Sequence, residues 1–151
     1  MIKNLEKDEI DYILKNNYIG HLAYIHQGKP FIVQITYFFD ETNNAIICYS
    51  GEGHKIAAMR KNNDVSLQIA EINSINNWKS ILVHGKFEQH FGSDAKSYLH
   101  LFSLGVKDII TEKEQWKPDY ISDFSSKLYK EEIPIVFLIK IDEITGKKRQ
   151  F

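Results

Sequence analysis

Short apolar runs separated by turn-forming clusters recur along this chain, and their spacing predicts six strands and a few helices. Leu5, Ile10, Ile13 and Leu14 form a helical stripe, so residues 5–17 read as a helix. Asn4 is placed to cap it, and Glu6, Asp8 and Glu9 put negative charge where the helix dipole favours it. Lys7 takes the third helical position, which leaves no capping box. Residues 18–26 read as a strand, Gln27-Gly28-Lys29 as a tight turn, and Pro30 opens a second strand that runs to Phe39. The polar cluster at 40–44 is a hairpin turn, and Ala45 to Ser50 is a third strand. A short helix over 54–62 carries Ile56 and Met59 on one face. Strands follow over 64–71 and 78–91; in the second, Ile81, Val83 and Gly85 face one way, Leu82 and His84 the other.

Gly92-Ser93-Asp94 starts a helix with Ser93 or Asp94 as its cap, and Gly105 is expected to close it. Residues 107–131 are polar and read as helical in pieces, broken at Pro118. Pro134 precedes a last strand, IVFLIKI, and a polar tail is expected from Gly146. No repeat or linker divides the chain, so residues 1–151 read as one domain. The fold class is mainly β: an antiparallel barrel of about six strands with helices at its ends.

Composition narrows the function. With 151 residues there is room for one proper core. A net charge of -1 gives no global case for nucleic acid or for an acidic membrane surface. Cys48 is the only cysteine, which excludes an internal disulfide framework and a multi-Cys zinc site and fits a reducing cytoplasm. MIKNLEKDEID is too charged for a signal peptide, and no apolar run is long enough to span a membrane. Aromatic residues reach 13%, a share that suits strands and an aromatic-lined pocket or interface.

The chemistry concentrates in residues 46–69, IICYSGEGHKIAAMRKNNDVSLQI, which read as strand, glycine-bearing loop, helix and strand. Gly51 and Gly53 let the backbone approach an anion, amides at a helix N-terminus point at it, and Lys55 neutralises it. Taken alone, Lys55 is a solvated helix lysine; with the glycines and the preceding strand it reads as a phosphate ligand. His54 is either a donor to that phosphate or a helix-start histidine in water. As a ligand that titrates near neutral pH, it would make affinity fall as pH rises. Tyr49 and Ser50 are ligands or ordinary strand-end residues. Trp78 borders a ligand or plugs an interface, and the two roles are compatible. Gln34 is polar inside an apolar strand, so it meets a cofactor or sits on an exposed face. The six histidines lack paired helical spacing and no HExxH occurs, so no metal centre is expected. Cys48, inside an apolar strand, reads as inert, and no GxSxG or Walker spacing is present.

Four pieces carry a resemblance in their order and spacing: GHLAYIHQGKPFIVQITYFFD, ICYSGEGHKIAAMRKNNDVSLQI, WKSILVHGKFE and IVFLIKIDEITGKK. Together they resemble the split-barrel flavin-binding proteins related to pyridoxamine 5'-phosphate oxidase, especially the short branch that includes nitroimidazole-resistance proteins. The resemblance implies a split β-barrel and an FMN-binding homodimer with two flavin sites at the subunit interface. It places His54 and Lys55 on the FMN phosphate, and Tyr49 and Ser50 against the phosphate or ribityl chain. Backbone groups around Val33, Gln34 and Ile35 would contact the isoalloxazine edge, and the Trp78 to Ser80 region would come from the partner subunit. The implied activity is flavin-dependent electron transfer from NAD(P)H to a small acceptor such as a nitro-aromatic or quinone. The alternative is a non-catalytic flavin- or haem-binding module. The oxidase itself often carries Arg and Gln where this chain has His54 and Ser80, and it has a C-terminal arginine and tryptophan tail where this chain reads KKRQF. Those departures point away from pyridoxamine phosphate oxidation itself.

Overall fold

The computed structural model describes residues 1–114 and 134–151. In chain order its elements are β1 (Ile2–Asn4), α1 (Lys7–Lys15), β2 (Ile19–His26), β3 (Lys29–Thr36), β4 (Phe38–Asp40), β5 (Ala45–Ser50), α2 (His54–Lys61), β6 (Asp64–Ser74), β7 (Asn77–His90), α3 (Gly92–Glu114) and β8 (Ile135–Gln150). The strands pair antiparallel in the order β3-β2-β6-β7-β8-β5-β4, with β1 added to β8, and form a split β-barrel flanked by the helices.

Strand alternation sorts the side chains into two cores. Leu22, Tyr37, Ile46, Cys48, Met59, Leu67, Val83 and Phe137 fill the barrel. Ala45, Ile47 and Leu138, on the other face of β5 and β8, meet Leu99, Phe102 and Val106 of α3. β5 is therefore apolar on nearly every residue, because both its faces are covered. Cys48 lies in the barrel core with no exposed surface, and burial pushes its thiol pKa well up.

Five expectations change. The N-terminal helix begins later, at Lys7, because residues 2–4 are a strand paired with Lys147, Lys148 and Arg149. Glu6, not Asn4, is its N-cap residue, and the Glu6 amide donates to Glu9 Oε1 at 3.3 Å, so the reciprocal capping interaction is present after all. The strand over 30–39 splits at Tyr37. Its amide donates to Tyr18 O (2.8 Å), its buried hydroxyl donates to Leu14 O (3.0 Å), and the chain then crosses to pair with β5. Gly105 does not close a helix: α3 runs through it, and the missing side chain makes room for the ring of Phe38, which a Cβ there would strike. Finally, the polar tail is strand, since β8 continues to Gln150 against β7 and β1. The strand count is thus eight among the described residues, and the expected break at Pro118 lies outside them. No described helix is long and apolar enough to cross a membrane.

Candidate functional site

The β5–α2 connection turns on the alternation of β5. Cys48 faces the barrel core, whereas Tyr49 faces α3, its ring 5.4 Å from that of Phe102 in a T-shaped contact. Ser50 is buried and its hydroxyl donates to Gly51 O at 3.0 Å. Ser50 thus shapes the loop, while Tyr49 belongs to the packing of α3.

Beyond Ser50 the loop opens. A Cβ on Gly51 or Gly53 would meet nothing within 4 Å, so the protein's own packing does not fill the space beside either backbone. Glu52 is the loop's one carboxylate, and Arg60 holds it with two bonds, Nη1 to Oε2 at 3.1 Å and Nη2 to Oε1 at 2.7 Å. Arg60 Nε also donates to Gln89 Oε1 at 2.9 Å, which ties the loop and α2 to the end of β7. Lys55, half-buried in the first turn of α2, makes no hydrogen bond or ion pair with any described residue. The loop therefore presents one uncompensated cation, a neutralised carboxylate and a helix N-terminus. That donor set fits an anion such as a phosphate.

His54 has a more elaborate setting than the sequence suggests. Its Nδ1 lies 2.9 Å from the hydroxyl of Tyr24, on the core side of β2. The rings of His26 and Phe31 stand at 4.5 and 4.8 Å from its own, both edge-on, and Tyr24 and Phe31 stack at 5.5 Å. Sequence reasoning missed Tyr24, His26 and Phe31. The signal was present in the Gln27-Gly28 turn, whose two-residue loop sets the register that pairs Tyr24 with Phe31.

Among the described residues β3 is an edge of the sheet that pairs only with β2, so alternate backbone groups over Val33, Gln34 and Ile35 have no strand partner there. Val33 and Ile35 send their side chains to the core, whereas Gln34 is exposed on the outer face, opposite His21. That outer face also carries Ser80 and Trp78. Ser80 accepts from Gln68 Nε2 at 3.2 Å and lines an open groove of about 570 Å³ with His21, Ile32, Leu82 and Lys147. Trp78 lies opposite Ile72 on one side and Arg149 on the other. The structure thus gathers His54 and Lys55 at the loop and Gln34, Trp78 and Ser80 on the outer sheet face. Among the described residues, no bond or ring contact joins the two groups within one chain.

The fold recurs in known proteins. The chain is 29% identical over 148 residues to the uncharacterized protein RA0666 of Rhizobium meliloti (strain 1021), covering 97% of this chain and 94% of that one. It is similar to the crystal structure of a FAD-binding protein from Mesorhizobium loti, at 25% identity and a TM-score of 0.73 with 99% of each chain covered. A candidate 5-nitroimidazole antibiotic resistance protein from Bacteroides thetaiotaomicron shares the fold, at 18% identity and a TM-score of 0.70 over 98% of this chain and 89% of that one. The pyridoxamine 5'-phosphate oxidase family model matches residues 6–148, and the chain belongs to that family.

Proposed function

We propose that the protein binds a flavin by its 5'-phosphate at the β5–α2 loop, with FMN as the cofactor. The observation that carries this is the uncompensated Lys55 beside two open glycines, with Glu52 already neutralised by Arg60. Lys55 supplies the charge, His54 a hydrogen bond, and the amides at the start of α2 the remaining donors. Ser50, with Tyr49 behind it, holds the strand end from which the loop departs. The open edge of β3 at Val33, Gln34 and Ile35 offers backbone groups to the isoalloxazine edge.

A second copy of the chain completes the site. The outer face leaves Ile32, Ile72 and Leu82 exposed at 69%, 75% and 37%, an apolar surface suited to a homodimer. Across such an interface the partner's outer face would bring Trp78 and Ser80 to the flavin, which answers their separation from His54 within one chain.

When bound, the flavin supplies two-electron hydride chemistry, here between NAD(P)H and a small acceptor such as a nitro-aromatic or quinone. The chain's part is to bind, orient and shield it. A second reading, FAD in place of FMN, is favoured by the Mesorhizobium loti relative, which is named as FAD-binding and matches end to end. The two share the riboflavin 5'-phosphate that the loop would grip.

The test is incubation with equal FMN and FAD, gel filtration with light scattering, and identification of the retained flavin. One FMN per chain on a dimer supports the proposal; retained FAD keeps the site and changes the cofactor; a colourless protein refutes it. NAD(P)H oxidation by the loaded protein, measured with a panel of acceptors, then decides turnover. A rate no greater than that of free flavin would leave a binding module.

A further inference from the structure

The bond between Tyr24 and His54 decides what kind of ligand His54 can take. Tyr24 is 4% exposed, and among the described residues its hydroxyl has no polar partner except His54 Nδ1 at 2.9 Å. A phenol has one proton to donate. If the hydroxyl only accepted, from an Nδ1–H, that proton would be buried without an acceptor, at a cost of about 1–3 kcal/mol. If it donates, Nδ1 receives it and the imidazole proton moves to Nε2, on the ring edge away from Tyr24. His54 is exposed, so a proton there has solvent or a ligand to meet. Both groups are satisfied in this arrangement and only one in the other.

Packing holds the ring in the same pose. His26 stands edge-on at 4.5 Å and Phe31 at 4.8 Å, and Phe31 is itself stacked on Tyr24 with 10° between the planes. We propose that Tyr24 is a positioning residue that fixes His54 as the Nε2–H tautomer, which makes the neutral ring a donor to an anionic oxygen. A metal ion or a ligand N–H would need a lone pair at Nε2, and the Tyr24 bond places that lone pair on Nδ1 instead. This rests on the reading of the loop as a phosphate site, and it gives His54 its role there without requiring a charge.

Nitrogen NMR of the ligand-free protein at pH 8.5 tests the tautomer directly. The expected result is a protonated Nε2 and a bare Nδ1 for His54, with both signals moving toward a mixed tautomer in Tyr24→Phe. A protonated Nδ1 in the unaltered protein would overturn the proposal. FMN titration supplies the second readout. Tyr24→Phe should weaken FMN about three- to tenfold at pH 8.5, and should do nothing further in a His54→Gln background, whose amide brings its own fixed donor. An equal loss in both backgrounds would mean that Tyr24 acts only through packing, and would also overturn it. Failure of every form to bind FMN would remove the phosphate reading and leave the NMR result to decide the tautomer.

Discussion

Replacing Lys55 with alanine isolates the charge on which the proposed flavin site depends. Lys55 sits in the first turn of α2 and has no carboxylate or amide partner among the described residues, so its removal breaks no internal bond. Folding stability should move by no more than about 0.5 kcal/mol, as for an ordinary surface substitution. Binding should move much further. A charge-assisted hydrogen bond to phosphate contributes roughly 1.5–3 kcal/mol, which is about a 10- to 150-fold rise in Kd. Lys61 provides the control, because it is an exposed lysine in the last turn of the same helix. Lys61→Ala removes the same unit of charge from the far end, and should cost FMN affinity less than about twofold at physiological ionic strength, where the screening length is about 8 Å. FMN titration by fluorescence quenching, with thermal unfolding run in parallel, reads both quantities. Equal effects from the two variants would show only general electrostatic attraction. An unchanged Kd in a folded Lys55→Ala protein would refute the loop as the phosphate site.

Two further predictions concern the contacts that hold α1 and α3 against the sheet. Glu9 accepts from Lys148 at 3.0 Å through both oxygens and lies 3.6 Å from Lys79, and the Lys148 hydrogen bond holds its carboxyl pKa below the usual value. Its contribution is therefore full above the ordinary carboxylate range and is lost as pH falls through the lowered folded-state pKa. Glu9→Gln should cost about 1 kcal/mol at pH 7 and progressively less in acid; urea titrations showing the same gap at pH 7 and pH 3 would exclude the ion pair as the cause. Gly105→Ala should destabilise the protein despite gaining about 1 kcal/mol of helix propensity, because the new methyl meets the Phe38 ring and overpacking costs about 1–3 kcal/mol. Adding Phe38→Leu should recover part of the lost Tm; a raised Tm in Gly105→Ala alone would show that the ring moves aside freely.

The strands were legible wherever one pattern governed them. Period-two alternation gave β6 and β7 nearly in full, and the Gln27-Gly28 pair gave the β2–β3 turn, where both residues adopt positive φ. β1 and the far half of β8 were not legible. Their side chains are largely polar, with Lys148 satisfied by Glu9 on α1, and a strand that owes its place to pairing leaves little hydrophobic period. Gly105 misled for a related reason: a glycine that ends a helix and one that admits a neighbouring ring look alike in sequence. At the candidate site, His54 and Lys55 were visible from the loop composition. The rings around His54 were not, because Tyr24 and His26 read as ordinary strand residues until the hairpin register sets Phe31 across from Tyr24.

The position of β8 bears on how the chain is made. This strand pairs with β7, β5 and β1, yet it follows all three in the sequence. During synthesis at about 5–20 residues per second, β7 and β5 emerge well before the strand that joins them, each with one ladder of backbone groups unmatched. The first strand waits longest, since Ile2 pairs with Arg149 at the other end of the chain. Contacts of such long sequence separation slow folding, and open strand edges invite pairing with other chains. The nascent barrel is therefore most exposed to aggregation in the interval before β8 arrives, and chaperone demand should be concentrated there.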